Sequence, residues 1–327
     1  MLPGVSSDPS PAWREAMFRS KPFIVFAAAT ALLAAGCAGN VEPRLAYVAS
    51  RGVSDEVYLF DRTQETTEQL TFTGGDKTSP AFSSDGEWVF FASDADGDWD
   101  IYRVPVDGGE VEKLTHNLID DRFPAPVSWN EGVVYLAYDS DGPVLRVLTE
   151  PGVSPSLDVN TELYNGVVDA RWDQRGNFLA LTVDAELHPG EAVSSGRDIW
   201  RYDHGVKLFD GLVEDHADNI QPSWSHDARW LVFASNRGGV IHPDSPEGLG
   251  DYDLFLYNVD NSGLRRLTDE PGDELFPIVE TDNESVLFYA ELEAGPGIYR
   301  RLGTSAAGRI ELLAPVEGEL RGLAVFP

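Results

Sequence analysis

Cysteine occurs once in 327 residues, at Cys37. A single thiol excludes an intrachain disulfide and a cysteine-built zinc site. Lysine is nearly as scarce, with Lys21, Lys77, Lys113 and Lys207 the only four, so the other basic residues are Arg. Against 24 basic residues stand 55 acidic ones, a formal net charge of −31. That excess excludes broad contact with nucleic acid, where basic side chains must replace counterions on phosphate. It also excludes docking on anionic lipid by charge alone. The six His residues are scattered along the chain. There is no Gly-x-Ser-x-Gly elbow, no His-Glu-x-x-His and no phosphate-cradling glycine loop, so no nucleophile–base set is visible. Long apolar runs are missing too. The one from Phe23 to Ala35 is well short of the about 20 residues a membrane-spanning helix needs.

What is present begins with that run. Arg19 and Lys21 precede it, and it closes on Leu33-Ala34-Ala35-Gly36-Cys37. A basic flank, a short apolar stretch and a small-residue end describe an export signal. The closing segment resembles the bacterial lipoprotein signal, in which the Cys thiol is lipidated and becomes the mature N-terminus. The expectation is a signal peptide over 1–36, with Met17 as an alternative start, then a lipidated linker over 37–43. Removing 1–36 takes away three basic and two acidic residues, leaving −32. Ala38 after the Cys implies, by the same resemblance, an outer-membrane anchor facing the periplasm.

The rest of the chain repeats. One unit reads Pro80-Ala81-Phe82-Ser83-Ser84-Asp85-Gly86, then Trp88 to Ser93, Asp100-Ile101-Tyr102-Arg103, and Leu114-Thr115. Short apolar or alternating runs divided by Ser-Asp-Gly and Asp-Gly-Gly turns predict four strands joined by tight turns. Equivalent anchors fall at 80, 126, 170, 222 and 277, spaced 46, 44, 52 and 55. The first unit, from Leu45, lacks a first strand, whereas the chain finishes on a lone strand, Leu320 to Phe326. A C-terminal strand that completes the N-terminal unit would close a ring and leave no open edge. The predicted fold is therefore all-β: a six-bladed β-propeller of four-stranded blades over 44–327.

These segments closely resemble the WD40-like repeat of the TolB β-propeller. Ala170 stands for Pro in the fourth repeat and Asn283 for Gly in the sixth. TolB proteins carry an additional α/β domain, for which the repeat leaves no room here. The resemblance implies a scaffold that binds another envelope protein or an extended peptide, at the loop face or in the central channel, without a catalytic role or a required cofactor. The competing reading is a metal-dependent propeller lyase acting on acidic sugars. That reading calls for converging His residues and a basic groove, and neither is visible.

Candidate site residues follow from the register. In a propeller the loops between second and third strands share a face with the connections between blades. Two such loops carry insertions, Leu187-His188-Pro189 and Ile241-His242-Pro243-Asp244. They read as Pro-stiffened surface loops, as a partner-binding rim, or as a His–carboxylate metal site. The predicted rim comprises His188, Arg197, His242, Asp244, Asp94, Asp96, Asp98, Asp121 and Arg122. Acid collects on this face and predicts a mouth that attracts cationic ligands. The alternation Asp94-x-Asp96-x-Asp98-x-Asp100 is either a family turn or a calcium loop of hard oxygen ligands. Trp88, Trp129, Trp172, Trp224 and Trp230 read as core between blades.

Overall fold

The computed structural model describes residues 44–326, apart from 53, 127–131, 141, 149–166, 174, 185–195, 207, 216, 239–250 and 305–307. Cys37 and the whole 1–43 segment lie outside them, as do Trp129, His188, His242 and Asp244. The first blade holds β1 (Arg44–Ser50), β2 (Asp55–Asp61) and β3 (Thr66–Gln69). The second holds β4 (Lys77–Phe82), β5 (Trp88–Ser93), β6 (Asp100–Pro105) and β7 (Glu112–Lys113). The third holds β8 (Asp120–Pro126), β9 (Val133–Asp139) and β10 (Gly142–Leu148). The fourth holds β11 (Val167–Trp172), β12 (Phe178–Asp184), β13 (Arg197–Asp203) and β14 (Leu208–Val213). The fifth holds β15 (Asn219–Trp224), β16 (Trp230–Ser235), β17 (Asp253–Asn258) and β18 (Gly263–Arg266). The sixth holds β19 (Leu275–Val279), β20 (Val286–Leu292), β21 (Gly295–Leu302) and β22 (Arg309–Pro315), and the last strand is β23 (Glu319–Val325).

Five sheets have four strands and one has three, all antiparallel neighbours. The short sheet is the third blade, where the residues after β10 fall outside the described set. Closure occurs as the missing first strand demands. β23 pairs with β1 from Leu45↔Val325 to Ser50↔Glu319, so one blade is stitched from both ends of the chain.

Each strand is apolar on both faces because each face meets a neighbouring blade. Leu45, Tyr47 and Ala49 pack against Ile278, Leu287 and Ile298 of the sixth blade. Their alternating neighbours Ala46 and Val48 pack against Val89, Phe91 and Val104 of the second. Among the described residues each of the six junctions has one such cluster. Trp224 is core as expected, and Trp172 and Trp230 pack at cluster margins. Trp88 differs. It lies half-buried under the Arg103 guanidinium, 4.0 Å from its ring, which is a surface cation–π contact.

The repeat motifs have identifiable jobs. In Ser83-Ser84-Asp85-Gly86 the Ser83 hydroxyl accepts the Trp88 N–H at 2.9 Å and donates to Asp85 at 2.5 Å. Gly86 supplies φ of +72°, and a Cβ there would lie 2.6 Å from the Phe326 ring. The Leu-Thr pairs do not form the fourth strands, which stop just before them at Gln69, Lys113 and Arg266. Instead the Thr hydroxyl replaces the ladder: Thr71, Thr115 and Thr268 accept the N–H groups of Val57, Ile101 and Leu254 at 2.8–2.9 Å.

Candidate functional site

Six innermost strands, β4, β8, β11, β15, β19 and β23, line a central channel holding cavities of about 190 and about 200 Å³. The wall is irregular for a reason written in the sequence. Proline has no N–H to give a ladder, and Pro80, Pro124, Pro222 and Pro277 all fall in inner strands. Register shifts there, between Thr78 and Ala81, Arg122 and Ala125, Ile220 and Ser223, and Leu275 and Ile278. The preceding residues Ser79, Phe123, Gln221 and Phe276 all take left-handed φ of 53–57°. Such a conformation costs an L-residue about 1–2 kcal/mol. All four occupy the same repeat position, which is also lining of the second cavity.

Three residues before each of these prolines sits a buried polar group at a blade junction: Lys77, Asp121, Asn219 and Glu274. The Lys77 ammonium donates to the carbonyls of Asp55, Thr73 and Gly75 at 2.9–3.1 Å. Asn219 donates to Arg197 O at 3.0 Å. Burial pushes Asp121 up to about 7 and Glu274 up to about 9, the nearby Asp100 and Asp253 charges adding to the respective shifts. Asp121 was expected on a partner-facing rim and is instead wholly buried, with Asn117 donating to it at 2.5 Å. Its sequence neighbourhood looks like an exposed acidic loop. Its pairing with Ala137 in the sheet turns its side chain into the junction.

The loops between second and third strands do share a face with the blade connections. Asp76 N donates to Asp94 Oδ1 at 2.6 Å, Asp121 N to Trp99 O at 2.6 Å, and Glu274 N to Tyr252 O at 2.7 Å. The acid on this face is less available than its count implies. Asp120, Asp215 and Asp269 pair with Arg122, Arg237 and Arg266 at 2.6–3.1 Å. Arg122 also lies 4.4 Å over the Trp99 ring. Asp94 closes the turn, accepting from the Asp76 N–H while its own carbonyl accepts from Gly97. The expected cation-attracting mouth is thus largely neutralised by local pairs and by burial.

Carboxylate oxygens of Asp96, Asp98 and Asp100 come within 4.8 Å of one another, without Asp94. The Lys113 ammonium already sits among them, bound to Asp96 and 2.6 Å from Asp100. Desolvation opposes its charge, but the two carboxylates outweigh that and raise its pKa. An internal ammonium does here what a bound cation would do, so the cluster does not fit an open calcium loop.

Arg197 stands at the channel wall. Its N–H and Nε donate to Asp218 Oδ1 at 3.1 and 2.5 Å, and the Tyr252 hydroxyl donates to the other oxygen. Burial disfavours the Asp218 charge, yet the Arg197 and Tyr252 hydrogen bonds overcome it and hold the carboxyl below its usual range.

The sequence reading missed Arg171 and Arg321. Arg171 leaves β11 in the fourth blade and donates both terminal nitrogens to Leu323 O of β23, in the opposite blade, at 3.1 and 3.2 Å. It therefore bars the channel and lines both cavities. Arg171, Arg197 and Arg321 converge on the second cavity with Asp169 as the carboxylate among its described lining residues. A basic centre thus exists inside an acidic protein. Its members lie 26 and 124 residues apart in the chain, and only the closed ring brings them together.

No family model matches the chain. A crystal structure of TolB from Acinetobacter baumannii superposes with a TM-score of 0.66 at 19% identity, covering 91% of this chain and 70% of that one. The fold is that of a TolB-type propeller. A putative TolB from Agrobacterium tumefaciens gives a TM-score of 0.59 at 16% identity, over 88% of this chain and 100% of that one. By sequence, this chain is 37% identical over 93 residues to an uncharacterised protein, Atu1656, of Agrobacterium fabrum, covering 28% of this chain and 32% of that protein. It is 25% identical over 206 residues to an uncharacterised peptidase, YuxL, of Bacillus subtilis, covering 59% of this chain and 28% of that protein. The chain therefore spans about a third of the length of these curated relatives.

Proposed function

We propose that this chain is a non-enzymatic, lipid-anchored propeller of the bacterial envelope. In this reading Cys37 carries the lipid, the ring faces the periplasm, and it binds another envelope protein or an extended peptide. The observation that carries the reading is the channel itself, whose bulged wall presents hydrogen-bonding side chains to the cavity. The described His residues support it. His204, for instance, packs edge-on against Trp172 and Tyr202. The peptidase likeness covers too small a share of YuxL to bring a peptidase's machinery to this chain.

The test is crosslinking capture from envelopes with the wild-type chain and with a variant lacking 185–195 and 239–250. Specific capture of an envelope protein, weakened by the deletions, is expected. Unchanged capture refutes the rim formed by the His-Pro insertions. A stoichiometric transition metal that survives dialysis and is lost with His188 or His242 refutes the pure scaffold. Cys37→Ala is expected to move the protein from the membrane to the soluble fraction, and retention in the membrane refutes the lipid anchor.

A further inference from the structure

The Arg171 crossbar calls for a ligand chemistry. Among the described residues its guanidinium has no carboxylate at ion-pair distance, and both donors fall on one neutral carbonyl, Leu323 O. The bonds to Leu323 are charge-assisted on the donor side alone, whereas a carboxylate adds the opposite charge and a second oxygen that matches the fork bidentately. An incoming carboxylate therefore outcompetes the Leu323 carbonyl for the same fork of donors.

The surroundings agree. Arg197 and Arg321 are already answered, by Asp218 and by Glu319 at 2.9 Å, so they raise the local potential while remaining held in place. Thr182, fully buried, lines the same cavity with a hydroxyl that has no hydrogen-bond partner. A buried, unpaired hydroxyl costs stability unless something fills it. Asp169, the one opposing acid, has its charge weakened by burial, which raises its pKa despite Arg171 and Arg197.

We propose that the channel binds an extended peptide by a carboxylate that docks on Arg171. This rests on the scaffold reading above. A cavity of about 200 Å³ admits a side chain or chain end, not a folded domain. Phe123, Phe276, Ile220 and Val168 supply apolar wall. Thr78, Ser79, Thr182 and Gln221 lie between them, and this mixed lining suits the side chains and backbone amides of a peptide. The carboxylate comes from a chain terminus or from an Asp or Glu side chain.

Fluorescence anisotropy on the full chain in detergent separates these sources. Three labelled penta-alanine peptides are compared: one with a free C-terminal carboxylate, one with a C-terminal amide, and the amide with Glu as its fourth residue. At least one acid peptide is expected to bind tenfold or more tighter than the plain amide. Arg171→Met should erase the difference and Arg171→Lys should keep part of it, which guards against a folding defect in the first variant. The free acid alone binding tighter assigns a chain end, and the Glu peptide alone a side chain. Equal binding of all three, no binding of any, or an acid preference intact in Arg171→Met overturns the proposal. Binding of trigalacturonate, read by titration calorimetry, without binding of any peptide overturns it in favour of a sugar acid. If Arg171→Met still captures the wild-type envelope partner, the scaffold reading stands and the carboxylate docking falls.

Discussion

Glu274 makes stability fall as the solution becomes alkaline. Its side chain is fully buried at the junction of the fifth and sixth blades, and neither carboxyl oxygen has a hydrogen-bond partner among the described residues. Burial, with the Asp253 charge beside it, lifts its pKa from 4.5 to about 9. Between those two values the native state holds a proton that the unfolded chain releases, so the native state binds more protons and stability declines with rising pH. The contribution is fully present below the unfolded value and is lost through the folded one. The slope is about 1.4 kcal/mol per pH unit, so about 2.7 kcal/mol disappears between pH 6 and pH 8. Asp121, lifted to about 7 by burial, adds a like slope that levels off near that pH. Glu274→Gln keeps the shape and removes the ionisation. Urea midpoints at pH 6, 7 and 8 should show the variant losing less stability than the wild type. At pH 8 its advantage relative to pH 6 should approach that figure. Parallel profiles for the two proteins would refute the buried, protonated carboxyl and would mean that water or a displaced cation reaches it. The opposite limb belongs to Asp218, whose lowered pKa gives stability that is lost only as strong acid protonates it.

Two further outcomes follow from close contacts. Gly322 of β23 faces Pro80, and a Cβ there would lie 2.6 Å from the Pro80 ring, so Gly322→Ala should destabilise by about 1–3 kcal/mol and lower Tm. An unchanged Tm would show that closure tolerates a shift of the last strand. Lys113→Met strips the counterion from fully buried Asp100 and should cost about 3–5 kcal/mol at neutral pH, less at pH 4. Recovery of its Tm by added calcium would show that the ammonium stands in for a cation, and equal loss at both pH values would refute the ion-pair account.

The ring was legible from the chain alone because its units repeat. Turn residues at fixed offsets, two-sided apolar strands and a lone final strand each have a local cause, so blade number and closure follow without any distance being known. The turn reading of Asp94 was legible for the same reason. The third repeat is aligned differently by the structure, which sets Pro124 rather than residue 126 level with Pro80, Pro222 and Pro277 where the channel wall buckles.

Which polar residues face a partner was not legible. Asp121 and Arg122 are adjacent in sequence, yet one is sealed in a blade junction and the other lies over Trp99. Neighbours in a strand point to opposite faces, and neither composition nor spacing records which of the two meets the next blade. The acidic face misled for a related reason, because net charge counts carboxylates without showing which are paired or protonated. Tertiary structure alone decided the channel's chemistry. Arg171 reaches Leu323 only because the fourth blade lies opposite the first, and that opposition exists only once the two ends of the chain share a sheet.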